Sequence, residues 1–545
     1  MVHKKTPPKI TPLGIIRQYA VPLTLTIILL LAAYLRLHHL ATDPPALSQD
    51  EIVNGYDAFS IGHTLRDHHG TLLPRILGSF GDSASVTLTY LTAPFVVLGG
   101  LTEEMVRLPI ALTGIASVLI LYLLLVEITK DKKLGLLGAF ILAASPWNIT
   151  LTRWAVPPTV VPFFLLLFLW LFALAVYRPR SRYYWFFLVG ASLAAAGLTY
   201  SYPSAEILGP IFVIASGGLF LFKQWRRLIV YFLTYGALVL PLFYLIVFQP
   251  SSNFSRFAAV KIQATGWAFF QQLFSHYVGY FTPNFYFGPT SKNDMMHVPG
   301  VGNFYTFLLI PLLIAVVILG VRLYQGDFAL RRSLKQPLTR KLLIFMLIWL
   351  VLAPGPAAIS IDEQHMNRAI LLFPLVTVGI VASLYYIFRV IPKKQWRSAY
   401  ILLVVTSCLW SLAGYERIYH GSYIKTAAVP FQYGIKQGVQ YAIAHQDEYQ
   451  KITIDRNINQ PYIYYLFYAK YSPKAIDYSQ TNFSFHKEGF VVPQIGTKYY
   501  FTPVTEKSLI GARRLGSIGG YGHNWIDISA IDNRELIIRK VGPGP

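Results

Sequence analysis

The chain has 545 residues, 54% of them apolar and only 13% charged, too little polar surface for a soluble protein of this length. Its 47 Lys and Arg against 25 Asp and Glu give a formal charge of +22. The excess lies between apolar runs, which argues for basic loops kept on one side of a membrane and against nucleic-acid binding. One cysteine, Cys408, excludes a disulfide framework, and no CxxC or HExxH metal motif occurs.

The first apolar run, Val21 to Leu37, follows a basic start and runs into YLRLHHL without a small-residue cleavage site. It reads as an uncleaved first span. PPALSQDEIVNGYDAF (44–59) comes next. Ser48 and Glu51 have the spacing of a capping box, with Asp50 in the first turn, where the helix dipole favours a carboxylate. The cap accounts for Glu51 and leaves Asp50 without a structural reason. Asn54 and Asp57 share a helix face with Asp50, as a solvated stripe or as part of a substrate cleft.

Ser85–Leu101 is short, holds three Thr and a Pro, and ends in Gly-Gly. With the N-terminus inside and this stretch kept out of the bilayer, all the basic loops become cytoplasmic. These are TKDKK (129–133), RPRSRYY (178–184), KQWRR (223–227), RRSLKQPLTRK (331–341) and RVIPKKQWR (389–397). The predicted architecture is a polytopic α-helical membrane protein of about eleven transmembrane helices. The spans are 19–37, 106–127, 134–149, 156–177, 184–200, 204–222, 228–248, 303–324, 341–360, 367–389 and 398–414. Residues 1–414 form this membrane domain, with large outer loops at 38–105 and 249–302.

Four outer segments carry further candidates. In AASPWNITLTRWAVPPT (143–159), Arg153 stands at the apolar boundary, where an unpaired cation is costly and often functional. A snorkelling contact with headgroups is the plainer alternative. Tyr200 sits in the outer turn 200–203. The aromatic, Pro- and Gly-rich stretch 280–305 offers Asp294 and His297 as titratable members of a cleft. In SIDEQHMNRAILLFP (360–374), His365 and Arg368 open a span, and such an arginine calls for an anionic partner such as a lipid phosphate. Beyond residue 415 the character changes. KITID (451–455) and ELIIRK (535–540) read as strands, and 433–449 as an amphipathic helix. Residues 415–545 are expected to form a small extracytoplasmic α/β domain. Acids and bases from distant outer turns thus converge on one membrane face, which points to an anionic lipid-linked substrate.

These residues resemble the GT-C glycosyltransferases, in particular the bacterial relatives of protein O-mannosyltransferases and of the lipid A aminoarabinose transferase. The resemblance runs in order through Asp50-Glu51, Gly70 and Pro74, RLPIALTG (107–114), SPWNITLTR (145–153), YFTPNFYF and HVPGVGNFY, HMNRAILLFP (365–374) and NQPYIYYLFY (459–468). It implies a multi-pass enzyme of a bacterial plasma membrane, with a cytoplasmic N-terminus. Such an enzyme moves a sugar from a polyprenyl-phosphate donor to a hydroxyl on a glycan, lipid or protein acceptor, with inversion. Asp50, with Glu51, is then the catalytic or acceptor-orienting carboxylate. Arg153, His365 and Arg368 hold the donor phosphate, and Asn54, Asp57, Tyr200, Asp294 and His297 line the cleft. No cofactor is required, with a divalent metal as an option. Relatives often carry a second acid where this chain has Pro157-Pro158. Either Asp294 or Asp362 replaces it, one carboxylate suffices, or the chain is inactive. A lipid-linked-sugar flippase, a membrane scaffold and a glycan polymerase or ligase are the rival readings.

Overall fold

The computed structural model describes residues 12–79, 82–248, 261–289, 295–458, 460–476, 484–486, 489–491, 494–520 and 523–540. Its principal membrane-domain helices, in chain order, are α1 (Pro12–Leu37), α2 (Gln49–Thr64), α3 (Thr87–Gly99), α4 (Glu103–Thr129), α5 (Lys132–Ala144), α6 (Pro146–Leu151), α7 (Val161–Tyr177), α8 (Tyr184–Thr199), α9 (Pro203–Ser216), α10 (Trp225–Phe248), α11 (Gly266–Gly279), α12 (Leu309–Tyr324), α13 (Pro337–Leu352), α14 (Leu372–Val390) and α15 (Lys394–Ile418). Among the described residues nine of them, α1, α4, α7, α9, α10 and α12 to α15 with the turns that extend them, are long and apolar enough to cross a bilayer.

The other two expected spans are shorter. The run expected at 134–149 stops at Ala144, and Ser145 is extended. A residue before proline is pushed out of the α region, and Pro146 then starts α6 with its fixed φ. The run expected at 184–200 gives the 16-residue α8, about 24 Å long, short of a hydrocarbon core about 30 Å thick. Ser85–Leu101 contains the 13-residue α3, which packs on α2 and agrees with leaving it out of the count.

Contacts sort the loops into two ends. At one end, Arg153 donates to carbonyls of residues 35–43, and Thr87 to the carbonyl of Gly197 (3.3 Å). Trp147 N donates to the Asn303 carbonyl (3.0 Å), and His276 meets the Ser360 carbonyl (2.9 Å). The segments expected outside therefore gather together. At the opposite end Glu127 pairs with Lys130 and Arg178, Arg227 donates to the Pro179 carbonyl, and Tyr385 donates to Asp131. The basic loops 129–133, 178–184 and 223–227 meet there.

The last span does not stop at 414. Residues Lys394–Ala427 form one helical rod of 34 residues, about 51 Å at 1.5 Å per residue, interrupted only by a π turn at Tyr419–Tyr423. It is longer than a bilayer core is thick and leads into a strand-containing C-terminal domain, whose elements follow Ala427. That domain contains α16 (Tyr433–Ala444), β1 (Lys451–Asp455), α17 (Pro461–Tyr468), β2 (Gln494–Ile495), β3 (Tyr499–Thr502), β4 (Arg513–Gly520), β5 (His523–Ile531) and β6 (Glu535–Lys540). Its sheet has the order β2-β3-β1-β6-β5-β4, with β1 parallel to both neighbours and the other pairs antiparallel. β1 is central and buried along Ile452–Asp455, as a strand with parallel partners must be. α17 packs on α2 of the first loop, and one apolar cluster joins Leu47, Ile52, Val53 and Tyr56 to Tyr462, Ile463 and Phe467.

Candidate active site

The first-loop end is built around two buried arginines. Arg107, one turn into α4 and fully buried, donates to Glu51 through Nε (2.9 Å) and Nη2 (3.3 Å). It also donates to the carbonyls of Leu40 (3.2 Å), Pro44 (2.8 Å) and Ala46 (2.5 Å). Arg153, equally buried, donates to the carbonyls of Leu35 (3.1 Å), His38 (2.8 Å), His39 (3.2 Å) and Asp43 (2.9 Å) and to the Tyr419 hydroxyl (3.2 Å). A non-regular stretch between a span and a helix leaves carbonyls that must find donors. Guanidinium forks meet that need without titrating.

The expectation for Arg153 changes accordingly. It fastens the link between α1 and α2, and its guanidinium nitrogens are committed to backbone carbonyls and the Tyr419 hydroxyl. Sequence reasoning overlooked Arg107. The signal was available, since an arginine inside an apolar run is what drew notice to Arg153 and Arg368.

Glu51 is the fixed member of the acidic pair. It accepts from Ser48 N (2.8 Å), Ser48 Oγ (3.0 Å) and Ala155 N (3.0 Å) besides Arg107, and Trp154 Nε1 supports Ser48 Oγ (2.9 Å). The capping box expected from Ser48 and Glu51 is present. The Ala155 amide, close to Pro157-Pro158, thus helps to hold Glu51. Asp50, one residue earlier, is exposed, so the buried network presents its carboxylate outward from the first turn of α2. The outer domain reaches the same place. Burial, with the charges of Asp50 and Glu51, pushes the Tyr464 phenol well up. α2 is held between α4 and α17, and a Cβ on Gly55 would stand 2.6 Å from Val106 and 3.0 Å from Phe467.

Asn54 and Asp57 are not cleft residues. Asn54 is buried, accepts from Thr89 (2.7 Å) and donates to Thr92 (3.4 Å), which fastens α3 to α2. Asp57 Oδ1, fully buried, takes the backbone N (2.9 Å) and ring Nδ1 (2.6 Å) of His68. Burial pushes the His68 imidazole down, but Asp57 and Asp67 outweigh it and leave a net rise. The stripe expected to face solvent or substrate faces inward because α3 and the loop 65–79 cover it. Tyr200 donates to the Leu238 carbonyl (3.1 Å) and packs beside Ile61, Leu77 and Val86.

His365 and Arg368 stand in a different cluster. Arg368 pairs with Asp362 at 2.5 Å, and its side chain is 18% exposed. Burial opposes ionisation of Asp362, yet the hydrogen bond from Arg368 holds its carboxyl below the ordinary range. The Tyr280 hydroxyl accepts from His365 N (3.1 Å). His297 is half-buried, and Asp294 lies outside the described residues. A further pair was not foreseen. His420, in the π turn, meets Asp43 at 2.5 Å. Burial works against ionising Asp43, and the His420 ring overcomes it, holding the carboxyl low. Among the described residues no group of three or more His, Cys, Asp or Glu is arranged to hold a metal ion.

The sequence and the fold were compared with known proteins. Residues 84–252 match the family described as dolichyl-phosphate-mannose-protein mannosyltransferase. That stretch includes RLPIALTG and SPWNITLTR but neither Asp50 nor Arg368. No curated protein matches the chain. Among solved structures, the apo crystal structure of the Archaeoglobus fulgidus oligosaccharyltransferase superposes with a TM-score of 0.53 at 14% identity, over 83% of this chain and 64% of that one. The same archaeal enzyme with an inhibitory peptide and a dolichol-phosphate gives 0.51 at 13% identity, over the same shares. ArnT from Cupriavidus metallidurans, in the apo state, gives 0.48 at 13%, over 83% of this chain and 85% of that one. The chain spans about two thirds of the length of the oligosaccharyltransferase it superposes on. The chain thus shares the fold of the oligosaccharyltransferase it superposes on, carries helices long and apolar enough to cross a membrane, and over residues 84–252 matches the dolichyl-phosphate-mannose-protein mannosyltransferase family model.

Proposed function

We propose that the protein is a glycosyltransferase that moves a sugar from a polyprenyl-phosphate donor to an acceptor hydroxyl on the outer face of a bacterial plasma membrane, with inversion. The N-terminus is then cytoplasmic and the domain beyond Ala427 extracytoplasmic. The observation that carries this reading is the exposed Asp50 carboxylate, held in place by the buried Glu51–Arg107 pair at the end where the outer segments meet.

In the reaction the acceptor oxygen attacks the anomeric carbon from the face opposite the phosphate. The bond from that carbon to the phosphate oxygen breaks, and the electron pair leaves with the polyprenyl phosphate. Asp50 takes the hydroxyl proton, a contribution of about 10²–10⁴ in rate. Asp50 also serves by orienting the acceptor. Arg368, with His365 beside it, is the cation that meets the leaving phosphate, which displaces Asp362 from the guanidinium.

The test uses the full chain in lipid vesicles with a labelled polyprenyl-phosphate sugar and candidate glycan, lipid and protein acceptors. Transfer of label supports the proposal. Movement of label across the bilayer without transfer supports a flippase instead, and neither event supports a scaffold.

A further inference from the structure

α11 lies in the long loop that the sequence assigns to the aqueous outer side, yet its surface is not that of an aqueous helix. Trp267, Phe270, Phe274 and Val278 are 74%, 59%, 68% and 43% exposed, and Phe281 just beyond is 42% exposed. Their spacing of three and four residues puts them on one face. The helix contains no Asp, Glu, Lys or Arg.

Its opposite face is committed to the protein. His276 is buried against the Ser360 carbonyl, Tyr277 donates to the Val351 carbonyl (2.7 Å), and Gln364 donates to the Gly279 carbonyl (2.7 Å). Gln272 and Ser275, both exposed, form a polar flank between these two faces. A contiguous stripe of five large apolar side chains is more than a monomer leaves in water. Through Tyr277 the helix meets α13 at Val351, and Leu347, Leu350 and Val351 are exposed on that candidate membrane span.

We infer that α11 is an interfacial helix. Its aromatic stripe sinks among the acyl chains of the leaflet at the first-loop end, with the Gln272–Ser275 flank toward headgroups and water. Because its buried face grips residues 351–364, the helix sets the depth at which His365 and Arg368 meet the headgroup layer. This rests on reading the bundle as membrane-spanning and is independent of catalysis.

Cys408 is buried, so the full native chain serves as background for variants that each add one accessible cysteine carrying a nitroxide label. The variants are Phe270→Cys, Phe274→Cys, Gln272→Cys and Ser275→Cys, in vesicles of phosphatidylcholine and phosphatidylglycerol. All four side chains point away from the protein, so none removes a core contact. Labels at 270 and 274 are expected to collide several-fold more with oxygen than with a water-soluble nickel chelate, and the preference reverses at 272 and 275. Equal access of the chelate to all four sites overturns the proposal. So does spin–spin broadening at 270 and 274, which would put a second copy of the chain on the stripe. Should a stripe variant fail to fold, oxygen preference at 272 and 275 overturns the assigned orientation by itself.

Discussion

At the scale of single residues, the acidic pair divides its labour. Asp50→Asn is expected to lower sugar transfer by about 10²–10⁴-fold, measured with labelled donor in vesicles. Glu51→Ala should act on stability. It strands the buried Arg107 charge, a loss of about 3–5 kcal/mol, read by thermal or denaturant unfolding in detergent. The capping box of Ser48 and Glu51 was legible in the sequence because it is a local pattern, complete within four residues. The partner of Glu51 was not legible, since Arg107 comes from a helix 56 positions away. The partners of Arg153 were not legible either. Hydropathy locates a cation at a boundary but says nothing of the backbone carbonyls that the α1–α2 link brings to it.

At the scale of elements, α2 is tied to the following loop by Asp57 and His68, and this tie titrates. The folded imidazole has a raised pKa. Its stabilisation is therefore fully present below the ordinary imidazole value of about 6.5 and is lost as pH climbs through the raised value. Asp67, raised by burial and by Asp57, acts in the same direction at lower pH. Hydrogen exchange across residues 57–72 should accelerate as pH rises, beyond the intrinsic change in chemistry, and His68→Gln should remove that excess. Helices and strands with a clear period, such as α16, β1 and β6, were readable in advance. The end of α5 was readable too, from Ser145-Pro146, but an averaging hydropathy window passes over a single proline. The inward turn of Asn54 and Asp57 was not readable, because their partners Thr89, Thr92 and His68 lie on other segments.

At the scale of the whole molecule, charge alternation foretold which loops share an end, and the contacts at both ends agree with it. Nothing in the sequence showed that the outer domain closes over the first loop. Lys436 reaches Glu103 (2.8 Å) and the Pro45 carbonyl (3.2 Å), Tyr468 donates to Glu103 (2.7 Å), and Tyr56 donates to the Tyr471 carbonyl (2.9 Å). A chain ending at Ala427 is expected to expose Val53 and Tyr56, and limited proteolysis should then cut within residues 38–105 at protease levels that spare the full chain. The 34-residue rod from Lys394 to Ala427 has a mechanical consequence. A span tilts to match the bilayer it crosses, and a rigid extension converts that tilt into lateral displacement at its far end. Since the far end carries the domain that grips α2, membrane thickness becomes an input to the geometry around Asp50. Transfer measured in vesicles of increasing acyl-chain length should therefore pass through a maximum.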